Sequence, residues 1–294
     1  MAAGCGMKKP LLQDDAFIVD VENTWPDLTN LHVWWLGQSG FLLLWHGEFL
    51  ALDPYLSDSL TLKYAQTDKP HVRMTDRVVA PERLGFVSVV TSSHNHTDHL
   101  DKDTLLPMLQ VNPKLDIVVP EANRLFAAER LNLPAERLRP LNAGQTLEMG
   151  VFTLQGVPAA HNELELDADG HHRCLGYLVQ AGPWMVYHSG DTVRFNGMED
   201  WLRCWPIDIA LLPINGNRPE RGVAGNLDGR EAATLAKNVG VRIVIPCHYD
   251  LFEFNTASPD EFVATCRRLG QPYRVLPCGG RLSSAALQPG PARS

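Results

Sequence analysis

The stretch SSHNHTDH, residues 92–99, carries the densest cluster of metal-binding side-chain types in the chain and decides its interpretation. It directly follows VSVV (87–90), an apolar run that is typical of a strand buried on both faces. Alternate residues of an extended chain point the same way, so His94 and His96 can reach one metal ion together. The aspartate and the last histidine can face a second ion as the chain turns toward the next helix. The H-x-H-x-D-H pattern therefore predicts a site for two metal ions.

Three further candidate ligands lie in loops that directly follow predicted strands: His161, Asp191 in HSGDT, and His248 in IPCHYD. Loops beyond several strands can converge on one end of a sheet. Seven side chains then divide naturally between two ions, with one carboxylate bridging them. The predicted sets are His94, His96 and His161 on one ion, Asp98, His99 and His248 on the other, and Asp191 as the bridge.

The hydrophobic pattern outside this cluster predicts two sheets. LHVWWL (31–36), FLLLW (41–45) and FLALD (49–53) form a strand meander with Gly turns, after which strands and helices alternate. The same coarse order recurs after about residue 165. Two sheets of this kind pack face to face with helices outside, so we expect an α+β fold with four layers, an αββα sandwich. Helices are predicted over 101–110, 121–131, 228–239 and 259–269, and a strand over 273–277.

No low-complexity linker divides the chain. We therefore expect an irregular N-terminal segment at residues 1–30, a single domain at residues 31–285, and a flexible tail at residues 286–294. MAAGCGMKKPLLQDD, at the start, lacks the apolar core of a signal peptide, and no apolar run reaches the length of a membrane span. The six cysteines include no C-x-x-C pair. These observations favour a cytoplasmic location.

The composition also limits the partners. Hydrophobic residues make up 45% of the 294, which is ordinary for a soluble globular protein. The formal net charge of -8 argues against nucleic acid as a partner, since phosphate-backbone recognition needs a basic footprint. We expect a small-molecule anionic substrate and no membrane partner. Sandwich proteins with exposed aromatic edges often pair, so a monomer and a homo-oligomer both remain open.

The ligand pattern resembles that of the metallo-β-lactamase superfamily, whose fold and hydrolytic activity it implies. WWLGQSG (34–40), YHSGDT (187–192), LLPINGN (211–217) and IPCHYDLF (245–252) are similar to the L-ascorbate-6-phosphate lactonase-like group. The resemblance runs from about residue 31 to 282. It also implies a role for Asp53, which matches the early strand-end aspartate that orients a metal ligand in this family.

Five other residues are candidates for supporting or substrate-binding roles. His188 lies on a predicted strand, where a role behind the ligands or in the core is favoured over ligation. The NGNRPERG loop lies between two metal-ligand segments, although an Arg-rich loop is usually only a solvated loop. Its candidate substrate-binding residues are Asn215, Arg218 and Arg221, and Asn226, just beyond the loop, is the fourth candidate.

The predicted chemistry is hydrolysis. Two divalent ions with Asp98 and Asp191, the catalytic candidates, leave a net positive site, and metal coordination lowers the pKa of bound water to about 7. A hydroxide at the dinuclear site would open a small anionic substrate, a sugar-phosphate lactone or similar ester, with Asp98 accepting its proton. The ligand types favour zinc, and the resemblance keeps manganese open. The alternatives are a phosphodiesterase of the same fold, nuclease-type enzymes included, and a non-catalytic metal-stabilised binding protein.

Overall fold

Thirteen strands and seven α-helices build the part of the chain that the computed structural model describes, residues 7–287. The helices are α1 (Asp15–Thr24), α2 (Ser59–Tyr64), α3 (Lys102–Val111), α4 (Arg124–Leu131), α5 (Met198–Arg203), α6 (Gly229–Asn238) and α7 (Asp260–Leu269). The strands are β1 (His32–Gly37), β2 (Gly40–Trp45), β3 (Glu48–Leu52), β4 (Val87–Thr91), β5 (Asp116–Pro120), β6 (Leu138–Leu141), β7 (Thr146–Met149), β8 (Phe152–Pro158), β9 (Leu175–Ala181), β10 (Trp184–His188), β11 (Ile209–Pro213), β12 (Ile243–Cys247) and β13 (Arg281–Ser283).

The strands form two mixed sheets. The first has the order β13-β1-β2-β3-β4-β5-β6, and the second the order β12-β11-β10-β9-β8-β7. In each sheet an antiparallel meander continues into parallel strands, β3 to β6 in the first and β10 to β12 in the second. Parallel neighbours need crossover connections, which explains why helices follow the meander in each half.

Strand β1 shows how the layers arise, because its alternate side chains enter two different cores. Val33 and Trp35 pack in the core shared with the second sheet, whereas Trp34 and Leu36 pack in a core with Phe17 of α1 and with residues of α3 and α4. Helix α6 covers β11 and β12 on the far side of the second sheet. Helices thus flank both sheets, and the predicted α+β, four-layer sandwich is confirmed.

Three details differ from the sequence prediction. Residues 1–30 were expected to be irregular, which is wrong for Asp15–Thr24: α1 buries Phe17 and Val21 against the first sheet. The expected strand at 273–277 is also wrong, since Tyr273 makes only an isolated bridge to Val244. The last strand of the described chain is β13, which pairs with β1 at the edge of the first sheet. The predicted tail lies outside the described residues from residue 288 onward.

Helices α6 and α7 confirm the predictions over 228–239 and 259–269. Helix α6 begins at a capping box, in which Asp228 accepts from the backbone N–H of Glu231 while the Glu231 side chain accepts from the backbone N–H of Asp228. Within residues 7–287, no helix is both long and apolar enough to cross a membrane.

Candidate metal centre

Five strands end beside one cluster of histidines and aspartates. Each of β3, β4, β8, β10 and β12 is followed within three residues by one of its members or by a residue that contacts one. Backbone pairing thus brings together segments that are far apart in sequence. The structure gathers all seven predicted ligands, which we call the His/Asp cluster: His94, His96, Asp98, His99, His161, Asp191 and His248.

The first group of the His/Asp cluster consists of three histidines. The rings of His94, His96 and His161 lie 4.6–5.1 Å apart, centroid to centroid, and their candidate ligand atoms lie within 4.8 Å of one another. His161 Nδ1 donates to the Gly225 carbonyl at 2.9 Å, which leaves Nε2 toward the group. Burial lowers the pKa of His94 well below its usual range, and desolvation by the surrounding site lowers that of the more exposed His96 to about 4. Both imidazoles are therefore neutral, the form that binds metals.

The second group contains Asp98, His99 and His248. Asp98 Oδ2 lies 3.7 Å from His99 Nε2 and 3.6 Å from His248 Nε2. Burial works to lower the pKa of both histidines, but the nearby charge of Asp191, with that of Asp98, outweighs it and raises each pKa. The two nearby carboxylates therefore stabilise positive charge at this group.

Asp191 lies between the two groups. Its Oδ1 is 3.3 Å from His99 Nε2, and its Oδ2 is 3.2 Å from His248 Nε2 and 3.7 Å from His161 Nε2. Burial would raise its pKa, but His248 and His99 hold that pKa well below its usual range, so the carboxylate is ionised. A carboxylate in contact with both groups has the geometry of a bridging ligand.

The donor set suits divalent metal ions. His94 Nε2 is buried without a hydrogen-bond partner among the described residues, whereas His99 Nε2 contacts the carboxylates of Asp191 and Asp98 at 3.3 and 3.7 Å. An unsatisfied buried polar atom costs about 1–3 kcal/mol, so His94 Nε2 calls for a metal ion that accepts its lone pair. Imidazole and carboxylate donors fit zinc and similar first-row ions.

Asp53 holds the cluster from behind. It is fully buried, and its Oδ2 accepts from His99 Nδ1 at 2.6 Å. The Ser93 backbone N–H and the Thr91 hydroxyl donate to Oδ1 at 3.0 and 3.1 Å. This arrangement fixes the His99 ring with Nε2 toward Asp191, as expected for an aspartate that orients a metal ligand.

His188 braces the loop beside the ligands. Its Nε2 donates to the Ser39 carbonyl at 2.9 Å, and its ring packs against Phe41. The Ser39 hydroxyl in turn lies 3.4 Å from Asp191 Oδ1. His188 therefore occupies the supporting position expected from the sequence.

Comparison with known proteins identifies the family. The family model described as the β-lactamase superfamily domain matches residues 52–249. The chain belongs to this superfamily. A UPF0173 metal-dependent hydrolase of Pyrobaculum aerophilum is 27% identical over 235 residues, covering 80% of this chain and 91% of the relative.

Solved structures of the superfamily fold agree. Igni18, a metallo hydrolase of Ignicoccus hospitalis, superposes with a TM-score of 0.63 at 21% identity, covering 87% of this chain and 98% of that one. An isothiocyanate hydrolase from Delia radicum gut bacteria reaches 0.68 at 18% identity, covering 85% and 98%. At these identities the likeness establishes the metallo-β-lactamase fold.

Left-handed backbone marks three positions around this superfamily site. Gln38, Asp53 and His248 have φ angles of 49°, 40° and 61°. Non-glycine residues adopt such angles at a cost of about 1–3 kcal/mol, so the surrounding structure must hold these three in place. Each of the three side chains reaches the His/Asp cluster or one of its members.

Gln38 is a site residue that sequence reasoning missed. Its Nε2 donates to Asp98 Oδ2 at 2.9 Å and lies 3.2 Å from His248 Nε2. The signal was present, since Gln38 stands in the WWLGQSG stretch that carried the family resemblance. Its amide thus helps to set the orientation of one carboxylate of the cluster.

A cavity of about 470 Å³ opens above the His/Asp cluster, large enough for a small metabolite. None of the four predicted substrate-binding residues is part of its lining, because three of these side chains are engaged in hydrogen bonds within the loop region and the fourth is exposed to solvent. Asn215 and Asn226 are buried and hydrogen-bonded to each other, and Arg218 is exposed. Arg221 donates to the carbonyls of Asn215 and Thr256, so it braces the loop.

Other side chains line the cavity, and no sequence pattern predicted a substrate-binding role for them. They include Lys63, Tyr64, Lys69, His71, Arg130, Phe252 and Phe254. His71 Nδ1 donates to the Lys69 carbonyl at 2.9 Å, and its ring stacks on Tyr64 with centroids 4.6 Å apart. The cavity therefore combines a basic and an aromatic side above the cluster.

Proposed function

We propose that this protein is a metal-dependent hydrolase that opens small anionic substrates, sugar-phosphate lactones or similar esters. The observation that carries the proposal is the convergence of the His/Asp cluster, with the unpartnered buried Nε2 of His94, at the floor of a small-molecule cavity. The names of the relatives, metal-dependent hydrolases, support the same class of reaction.

Two divalent ions would be held by the residues of the cluster. His94, His96 and His161 would bind one, Asp98, His99 and His248 the other, and Asp191 would contact both. The ions would supply Lewis acidity and a nucleophilic water at neutral pH. Neutral imidazoles and ionised carboxylates are the forms that this role requires, and the pKa shifts of His94, His96 and Asp191 agree with it. The pKa values of His99 and His248 are raised by the charges of Asp191 and Asp98, which two bound divalent ions would offset.

Asp98 is the better placed of the two carboxylates for moving a proton. Its side chain is 13% exposed toward the cavity, whereas that of Asp191 is 4% exposed. In a lactone, water adds to the carbonyl carbon, the ring C–O bond breaks, and a proton from the water reaches the leaving oxygen. Asp98 would take that proton and return it, while Gln38 holds Oδ2 in place.

The lactone class rests on the motifs shared with the L-ascorbate-6-phosphate lactonase-like group and on the charge of the cavity. Zinc and manganese both suit the donors. A phosphodiesterase with the same ligands is the competing enzyme, and a non-catalytic metal-stabilised protein is the competing binding function. The net charge of -8 makes a nucleic-acid substrate the least suited of these.

A substrate panel tests the proposal. Protein reconstituted separately with zinc and with manganese is assayed on sugar-phosphate lactones, neutral lactones and phosphodiesters, with chelator-treated protein as the control. Turnover of lactones by the metal-loaded protein alone is the expected result. Turnover confined to phosphodiesters would reject the substrate class, and equal turnover by the metal-free protein would reject the metal-dependent hydrolase.

A further inference from the structure

Three cations, Lys63, Lys69 and Arg130, line the same cavity as the His/Asp cluster, and we call them the basic rim. They come from separate elements: Lys63 from α2, Lys69 from the loop after it, and Arg130 from α4. The loop that connects the metal ligands lies among them. Lys63 Nζ donates to Thr97 Oγ1 at 3.3 Å, one residue from two members of the cluster.

The basic rim has no carboxylate at ion-pair distance within residues 7–287. Lys69 Nζ donates to the Gly222 carbonyl at 2.6 Å, and Arg130 Nη1 donates to the Asn95 and Leu100 carbonyls at 2.7 and 3.2 Å. Other arginines of the described chain do pair, for example Arg139 with Asp116. Asp101 acts on Arg130 through its charge without forming an ion pair with it. In a chain with a net charge of -8, three cations without an ion pair around one cavity are a concentration of positive charge.

The carboxylates of the cavity do not neutralise this charge. Asp98 and Asp191 are the acidic side chains in its lining, and both contact histidines of the cluster. Tyr64 and Phe254 add apolar walls beside the lysines, and such walls strengthen an electrostatic interaction by excluding water. A charged group of the substrate would therefore be bound best at the rim.

We propose that Lys63 and Lys69 form an anion-binding subsite that recognises a phosphate or carboxylate group of the substrate, while the reacting bond lies over the His/Asp cluster. Arg130, on α4, adds a third positive charge. It also holds the loop of the metal ligands in place by donating to the Asn95 and Leu100 carbonyls. This subsite deepens the proposed function and rests on it for the identity of the reacting group. It replaces Arg218 and Arg221 as the source of anion selectivity.

Binding of three sugar acids tests the subsite without turnover. Gluconate, glucarate and 6-phosphogluconate share one carboxylate for the metal centre and differ at the other end, which is a hydroxyl, a carboxylate or a phosphate. Their dissociation constants are measured by calorimetry on metal-loaded wild-type protein and on Lys63→Gln/Lys69→Gln. Lys114→Gln/Lys237→Gln is the matched control, since it removes two surface lysines that are not part of the cavity lining.

The expected result is an advantage of at least about tenfold for 6-phosphogluconate over gluconate in wild type and control. That advantage falls to within about twofold in the Lys63/Lys69 variant, while gluconate binding is unchanged. The position of glucarate in the series tells whether a carboxylate is accepted as well as a phosphate.

Three results would overturn the subsite: equal binding of gluconate and 6-phosphogluconate by wild type, no binding of 6-phosphogluconate, or an advantage that survives in the variant. A parallel loss of gluconate binding would also overturn it, because the lysines would then act on the metal centre. The outcome is separate from the substrate panel. A protein that hydrolyses no lactone can still prefer the phosphorylated acid, and a lactonase can lack that preference.

Discussion

The His/Asp cluster and the basic rim share one cavity but are built in opposite ways. Cluster residues follow the ends of strands in both sheets and are mostly buried, and Asp53 and Gln38 hold the orientation of His99 and Asp98 through hydrogen bonds of 2.6 and 2.9 Å. Rim residues come from a short helix, a loop and the end of another helix, and Lys63 is exposed. The scaffold thus fixes the chemistry rigidly and leaves recognition of the substrate to peripheral segments.

This difference explains how one fold can serve several substrates. Changes in the cluster alter metal binding and hence the reaction itself, whereas changes in the rim alter which molecules are bound. Substitutions in the two regions should therefore separate in their effects on metal content, turnover and substrate affinity.

Asp191→Asn should have the largest effect, because it removes the one carboxylate that contacts both metal-binding groups. We expect turnover to fall by more than about a hundredfold and metal content to fall with it. Asp116→Asn, at the start of β5, removes a carboxylate paired with Arg139 at the surface and serves as the control. Full activity of Asp191→Asn with the wild-type metal content would show that this carboxylate is not needed for metal binding or turnover, and would contradict the division of roles between the cluster and the rim.

Asp53→Asn should have an intermediate effect. The amide cannot hold His99 Nδ1–H as a carboxylate does, so metal affinity should drop by about 10–100-fold in a chelator competition. Asp101→Asn is the matched control, since Asp101 is equally buried but accepts from Ser57, Ser59 and Thr104. An equal loss of metal affinity in both variants would mean that the effect is general destabilisation.

Arg221→Ala should have the smallest effect on activity. Loss of its hydrogen bonds to Asn215, Asn255 and Thr256 should lower the free energy of unfolding by about 1–2 kcal/mol, measured by denaturant titration, while KM stays within error. Arg218→Ala, at an exposed position of the same loop, should change neither quantity. A large rise in KM for either variant would restore the substrate-binding role that the sequence suggested.

The sequence predicted the architecture because strand runs and ligand spacings are local patterns. The apolar run from Val33 to Leu36, which is typical of a strand buried on both faces, is visible in the chain, and so is the sequence position of His161, Asp191 and His248 after predicted strands. Pairing in the sheets then brought these positions to one edge of the sandwich.

The basic rim could not be predicted in this way. Lys63, Lys69 and Arg130 stand in ordinary polar surroundings, and only the packing of α2 and α4 near the ligand loop makes them neighbours of one cavity. Helix α1 was missed for a related reason: its few buried residues, such as Phe17 and Val21, gain stability from the sheet and give a weak helical pattern alone.

The most direct test of the central claim is the metal stoichiometry of the wild-type chain, purified without added metal and then reconstituted, by elemental analysis. We expect two divalent ions per chain, with one lost in His161→Ala and the other in His248→Ala. A chain that holds no ion, or only one that survives both substitutions, would contradict it.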